Sequence, residues 1–176
     1  KKLKMKNFFL VLLFILSSLL NAGCFSQLKT YKDTRFSMDT TISIEATGQN
    51  NEQVKTAVDN AFRVFQEIAD ETDRYKDGSP KGLYQLNAHA GQGPSTVGSH
   101  LLLLADMAHK QNFSEFDITL APLIDVWQKH STAKTVPDNL EIAASLALTG
   151  KDKFSVAPEK QTITLAPGAA LDLGAI

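Results

Sequence analysis

Phe36-Ser37-Met38-Asp39-Thr40-Thr41-Ile42-Ser43-Ile44-Glu45-Ala46 alternates without a break. Phe36, Met38, Thr40, Ile42, Ile44 and Ala46 share one face, and Ser37, Asp39, Thr41, Ser43 and Glu45 the other. Strict period two predicts a strand with one wet or functional face. Thr47 to Asn51 reads as a turn, with Asn51 as a helix N-cap. From Glu52 to about Thr72 the residues Val54, Val58, Ala61, Phe62, Phe65 and Ile68 recur at helical spacing. That pattern predicts a long amphipathic helix packed on the sheet.

Downstream the pattern changes. Asp70 to Gly82 is a charged loop rich in turn formers, and Ser79-Pro80 predicts the start of a short helix through Leu83 and Leu86. Ser99 is placed to cap a helix from His100 to about Gln111. Further helices are expected from Ala121-Pro122 and from Pro137, the latter closed by Gly150. Phe154 to Val156, Thr162 to Leu165 and Ala170 to Leu173 read as short strands joined by Pro/Gly turns. A strand, then helices, then strands implies an α+β fold, a mixed sheet packed by several helices.

The first 23 residues have another character. Lys1, Lys2, Lys4 and Lys6 precede an apolar run from Phe8 to Leu20, then small residues before Cys24. A charged start, a short apolar stretch and small residues at a processing site describe an export signal. The run is too short for a membrane-spanning helix, which needs about 20 residues. Leu20-Asn21-Ala22-Gly23-Cys24 resembles a bacterial lipobox, with Asn21 where Leu is usual. Cys24 is the chain's one cysteine, so it has no internal disulfide partner. We therefore expect residues 1–23 to be a lipoprotein signal peptide and Cys24 to carry the lipid. Residues 24–35 are expected to form a lipidated tether, and the chain to sit lipid-anchored in the bacterial cell envelope, facing the periplasm or exterior.

Charge narrows the choice of partner. The whole chain carries 18 Lys and Arg against 19 Asp and Glu, a net charge of −1. Residues 1–23 hold four of the lysines and no acid, so the remainder carries 14 against 19, a net −5. No basic stripe is left, which argues against nucleic acid as a partner. The four histidines, His89, His100, His109 and His130, lack zinc-ligand spacing. Neither a GxxxxGK phosphate loop nor a GxSxG elbow occurs.

Four segments carry polar residues where packing alone does not need them. They are Phe36 to Thr41; Thr72-Asp73-Arg74-Tyr75-Lys76 through Asn87; Phe116-Asp117-Ile118-Thr119-Leu120-Ala121-Pro122-Leu123 with Trp127; and Leu171-Asp172-Leu173-Gly174-Ala175-Ile176. In this order, behind a lipobox, they resemble the ApbE family of flavin transferases, formerly called thiamine biosynthesis lipoproteins. The resemblance implies that 36–176 is the N-terminal part of a truncated ApbE-like (T-fold-related) domain. It also implies the chemistry: FAD as substrate, Mg2+ as cofactor, and transfer of FMN to a Thr or Ser hydroxyl of exported or membrane redox proteins.

On that resemblance Met38, Tyr75, Glu115, Phe116, Asp117 and Asp172 would meet the flavin nucleotide, and the main-chain carbonyl of Ala175 would ligate Mg2+. Physical chemistry leaves alternatives open. A thioether packs well on an aromatic ring, but Met38 on an alternating strand also reads as a core residue. Tyr75 is suited to stack on a flat ring, or is an ordinary loop tyrosine. Asp117 could accept from a ribose or adenine, or cap the following helix. Asp172 lies between apolar positions and needs a partner, which could be the ligand or the backbone. Thr119 and Pro122 shape the turn.

The sequence departs from the family pattern in two places. Met38-Asp39-Thr40 stands where many members have Met-Gly-Thr, and the last motif stops at Ile176. The later metal-ligating region of the family lies beyond it. We therefore expect the chain alone to be inactive and poorly folded, although its parent is an enzyme. Two other readings stay open: an FAD pyrophosphatase giving FMN and AMP, and a flavin-binding lipoprotein without catalysis.

Overall fold

The computed structural model describes residues 27–38, 40–111 and 116–174. The export signal, Cys24, Asp39, Glu115 and Ala175 lie outside the described residues.

The alternating stretch is not one strand. Strand β1 (Lys29–Ser37) and strand β2 (Thr40–Gly48) form a two-stranded sheet that breaks at Met38. Met38 has φ of 52°, a left-handed conformation uncommon outside glycine. The alternation runs on through the turn because β2 keeps it: Ile42, Ile44 and Ala46 are partly covered while Thr41, Ser43 and Glu45 are exposed. The tether expected up to residue 35 is thus strand from Lys29 onward. Hydroxyl pairs Thr30–Thr47 and Thr34–Ser43, each 2.9 Å, cross the hairpin in opposite order and so make it antiparallel.

Helix α1 (Asn51–Thr72) is as long as its periodicity requires. Val54, Val58 and Phe62 are buried at i, i+4 and i+8. Its cap is Asn50 and not Asn51: Asn50 Oδ1 accepts from the N–H groups of Glu52 and Gln53 at 2.9 and 3.2 Å.

By the density of its contacts the chain divides into two compact units. Among the described residues, one comprises 27–34 and 43–59, the outer part of the hairpin with the start of α1. The other comprises 35–42 and 60–176, and holds the main core.

In this second unit α1 is followed by helix α2 (Leu83–Ala88), strand β3 (Pro94–Thr96) and helix α3 (Ser99–Lys110). Helices α4 (Ala121–Ala133) and α5 (Asn139–Leu146) come next, then strands β4 (Phe154–Ala157) and β5 (Thr162–Leu165). The strands make an antiparallel sheet in the order β3-β5-β4, with Ser95 and Val156 flanking Ile163. Ile163 and Leu165 point from the central strand into a core with Leu83, Leu86, Leu101 and Phe154. The α+β class is as expected, with the described strands in two small sheets.

Several boundaries differ from the sequence reading, each for a local reason. Ser79-Pro80 makes a turn in which Ser79 O accepts from Gly82 N–H, so α2 begins only at Leu83. Ser99 does not cap α3; Gly98 holds that position. The carboxylate of Glu71 supplies the cap, accepting from His100 N–H at 2.9 Å and Leu101 N–H at 3.1 Å. Asp138, one residue past Pro137, caps α5 through Leu140 N–H and Glu141 N–H. Ala170 to Leu173 is not a strand. Its backbone is instead held by Asn87, whose amide donates to Leu171 O and accepts from Leu171 N–H, both at 2.9 Å.

Candidate functional site

The loop after α1 is shaped by its own acid. Asp73 Oδ1 accepts from the N–H groups of Tyr75 and Lys76 at 2.7 and 3.2 Å, a local turn that sets two successive side chains. Arg74, between Asp73 and Tyr75, turns inward, its side chain only 7% exposed. Its Nη2 donates to Asp125 Oδ1 on α4 and to Tyr75 Oη, both at 2.7 Å. Its Nε lies 2.7 Å from Asp172 Oδ2 without the alignment of a hydrogen bond, so that contact is a charge pair and Nε stays an unsatisfied buried donor. Burial works to lower the guanidinium pKa. The hydrogen bond and charge of Asp125, with Asp172 and Tyr75, outweigh it and leave the pKa raised.

Tyr75 is held at its ring face and at its phenol oxygen. The Arg74 guanidinium carbon lies 4.3 Å from the ring centroid. The phenol oxygen also accepts from Gln128 Nε2 at 3.0 Å. Even so, 62% of Tyr75 is exposed. Asp172 is anchored at its backbone, its N–H donating to Ile118 O at 2.7 Å, while Oδ1 accepts from Gly174 N–H at 2.8 Å. The partner that an acid between Leu171 and Leu173 requires is therefore Arg74 together with the local backbone.

These groups border a cavity of about 660 Å3 in the second unit, with Phe36, Met38, Tyr75, Lys76, Asp172 and Leu173 in its lining. That volume is in the range of small-molecule sites. Phe36 and Met38 are well exposed there, at 75% and 49%, so neither is a core residue. The lining combines an aromatic ring, a thioether, a cation and a carboxylate. Such a set can take a flat heteroaromatic ring with a charged tail.

The expected site residues are thus divided. Met38, Tyr75 and Asp172 come together at the cavity. Phe116 packs against the core, and Asp117 Oδ1 accepts from Thr119 N–H at 2.8 Å and Thr119 Oγ1 at 2.5 Å. Neither belongs to the cavity lining. Asp117 shapes the turn before α4 and does not cap that helix, whose N-cap, Leu120, has no side-chain hydrogen bond. Thr119, fully buried, passes the link on by accepting from Gly150 N–H at 2.6 Å.

Arg74 and Asp125 were not singled out in the sequence. Arg74 lay in a marked segment, but nothing in its neighbourhood announces partners 51 residues away on α4 and further on at Asp172. Among the described residues no group of three or more His, Cys, Asp or Glu side chains could hold a metal ion. Arg74 already answers Asp172, and the described residues do not fit a Mg2+ site on their own.

Fold and site together define a small α+β protein with a cavity lined by an aromatic ring, a thioether, a cation and a carboxylate. Residues 38–176 match the ApbE family, and the chain belongs to it. An FAD:protein FMN transferase from Klebsiella pneumoniae (strain 342) is 33% identical over 125 residues, 66% of this chain and 38% of that protein. The flavin transferase ApbE from Vibrio cholerae superposes with a TM-score of 0.69 at 24% identity, over 85% of this chain and 50% of that one. The apo form of the Pseudomonas stutzeri flavinyl transferase ApbE gives 0.69 at 21% identity, over 83% and 47%. The two structures share the fold. The chain spans about half the length of either structure and 38% of the curated relative.

Proposed function

We propose that this chain is the flavin-facing part of a lipid-anchored FAD:protein FMN transferase of the bacterial envelope. The observation that carries the reading is the meeting of Met38, Tyr75 and Asp172, chosen from three separate motifs, around one cavity of about 660 Å3. Membership of the ApbE family and the name of the Klebsiella relative support the activity.

In this reading the isoalloxazine ring lies against Tyr75 and Met38, where stacking and a polarisable thioether favour it over water. Lys76 brings a cation to the cavity for the diphosphate. Arg74 holds the Asp172 carboxylate in place through their charge pair. The acceptor hydroxyl oxygen forms a bond to the FMN phosphorus, the bridging P–O bond breaks, AMP leaves and the hydroxyl proton is lost. Mg2+ dependence belongs to the reading through the family resemblance alone. The acceptors are exported or membrane redox proteins, and a lipid on Cys24 would hold the enzyme at the surface where they lie.

The test is to incubate the full-length protein with FAD, Mg2+ and the flavin-acceptor domain of an exported redox protein. Transfer gives an acceptor heavier by one phosphoester-linked FMN, with equimolar AMP. FMN and AMP beside an unmodified acceptor would replace transfer by hydrolysis. Bound, intact FAD would leave a binding protein only.

A further inference from the structure

Asp125 is not part of the cavity lining, and its side chain is 54% exposed, yet it holds the buried side chain that organises two of the lining residues. Arg74 Nη2 divides its donors between Asp125 Oδ1 and Tyr75 Oη, both at 2.7 Å. Its Nε faces Asp172 Oδ2, also at 2.7 Å. A guanidinium is a rigid planar fork, so fixing one nitrogen fixes the directions of the others. Without Asp125 the fork is free to turn toward Asp172, where Nε now lies close without a proper hydrogen bond. That turn would take Nη2 away from the phenol. Tyr75 would then keep only the Gln128 donor.

We propose that Asp125 is a positioning residue for the cavity, acting through Arg74 to set the ring of Tyr75 and the carboxylate of Asp172. The proposal rests on the flavin-transferase reading for its ligand, though not for its geometry. Asp125 lies outside the cavity lining and meets it through Arg74, itself a lining residue, and its neutral isostere Asn keeps its size. Any effect of Asp125→Asn on the cavity must therefore pass through Arg74.

Two measurements on the full-length protein test this. In the first, FAD affinity is read from flavin fluorescence for wild type, Asp125→Asn, Arg74→Met and the double variant, with thermal melts alongside. The expected result is about threefold to tenfold weaker binding for Asp125→Asn, in the range of one lost charged hydrogen bond at a partly exposed site. Arg74→Met is expected to lose more, and the double variant to match Arg74→Met alone, because the two residues act in series. Wild-type affinity in Asp125→Asn, or losses that multiply in the double variant, would overturn the proposal.

The second measurement needs no flavin. The ring resonance of Tyr75 in 13C-tyrosine-labelled protein, assigned by its loss in Tyr75→Phe, should move in the same direction in Asp125→Asn and Arg74→Met. A Tyr75 signal unmoved by Asp125→Asn would overturn the proposal whatever the affinities. Failure of the wild type to bind FAD, with the Tyr75 signal still responding, would instead sink the flavin reading and leave the relay standing.

Discussion

The carboxylate of Glu71 occupies the space that a side chain at Gly98 would fill: a Cβ there would lie 2.2 Å from Glu71 Oε2. Gly98 has ordinary extended dihedrals, φ −67° and ψ 161°, so this glycine is needed for room and not for conformational freedom. The room lets an acid from the last turn of α1 cap α3, an interaction normally supplied by the N-cap residue itself.

Gly98→Ala should therefore act through Glu71. Moving the end of a flexible side chain is cheap, but the move leaves the N–H groups of His100 and Leu101 without their acceptor. The expected loss is about 1–2 kcal/mol, the scale of a deleted N-cap. Glu71→Ala should lose a similar amount. Gly98→Ala placed on Glu71→Ala should then add almost nothing. Denaturant melts of the four proteins check this; additive losses would show that Gly98 answers to something else.

Asn87 substitutes for a strand partner along Leu171, a residue with no exposed surface. Asn87→Ala would bury two unpaired backbone groups and should cost about 2–4 kcal/mol, at roughly 1–3 kcal/mol for each unsatisfied group with partial relaxation. Asn87→Asp keeps the acceptor for Leu171 N–H but faces Leu171 O without a donor, so it should also destabilise. Because Leu171 precedes Asp172, both variants should weaken FAD binding as well, readable in one titration.

Glu141 joins α5 to α4 through Lys129 Nζ at 3.1 Å and His130 Nε2 at 2.8 Å. Its carboxyl is held below its ordinary value of 4.5, first by the Lys129 hydrogen bond, against a desolvation that acts to raise it, and further by Lys129 charge, the Asp138 backbone and His130. A carboxyl whose folded pKa is depressed stabilises the fold above its unfolded pKa and loses that contribution as pH falls through the folded value. Glu141→Gln should thus melt lower than wild type at neutral pH, and the gap should close on acidification below about 4.5. A constant gap across that range would mean that packing, not charge, holds Glu141.

Cys24 lies outside the described residues, and its role is read from its sequence context alone. Cys24→Ser, expressed in a bacterial host that lipidates exported proteins, should shift the protein from the membrane fraction to the soluble fraction, and wild type should take up labelled fatty acid. Membrane retention of the variant, with no label on wild type, would remove the lipid anchor and leave the family assignment as it stands.

What the sequence discloses here depends on distance along the chain. The alternation of Ile42, Ile44 and Ala46 and the spacing of Val54, Val58 and Phe62 are local, and both appear in the structure as read. The turn at Met38 was hidden because neither Gly nor Pro marks it. A left-handed methionine costs on the order of 1–2 kcal/mol, and alternation continues on either side of it. The cap of α1 is one residue earlier than read, at Asn50, and the helix expected from Pro137 is capped by Asp138, which the sequence reading does not mark. The cap at α3 was out of reach, since its acid comes from 29 residues upstream.

The site follows the same rule. Met38, Tyr75 and Asp172 could be marked because each sits in a motif of its own. Arg74, which anchors Tyr75 and Asp172, could not, because its worth depends on Asp125 and Asp172 arriving from other elements. Asp117 is marked by its motif; in the structure its Oδ1 accepts from Thr119 and it lies outside the cavity lining.

The most direct test is a crystal structure of the full-length protein soaked with FAD. The account predicts the isoalloxazine ring against Tyr75 and Met38, within the cavity that Asp172 lines. A flavin bound elsewhere, with that cavity holding only solvent, would contradict it.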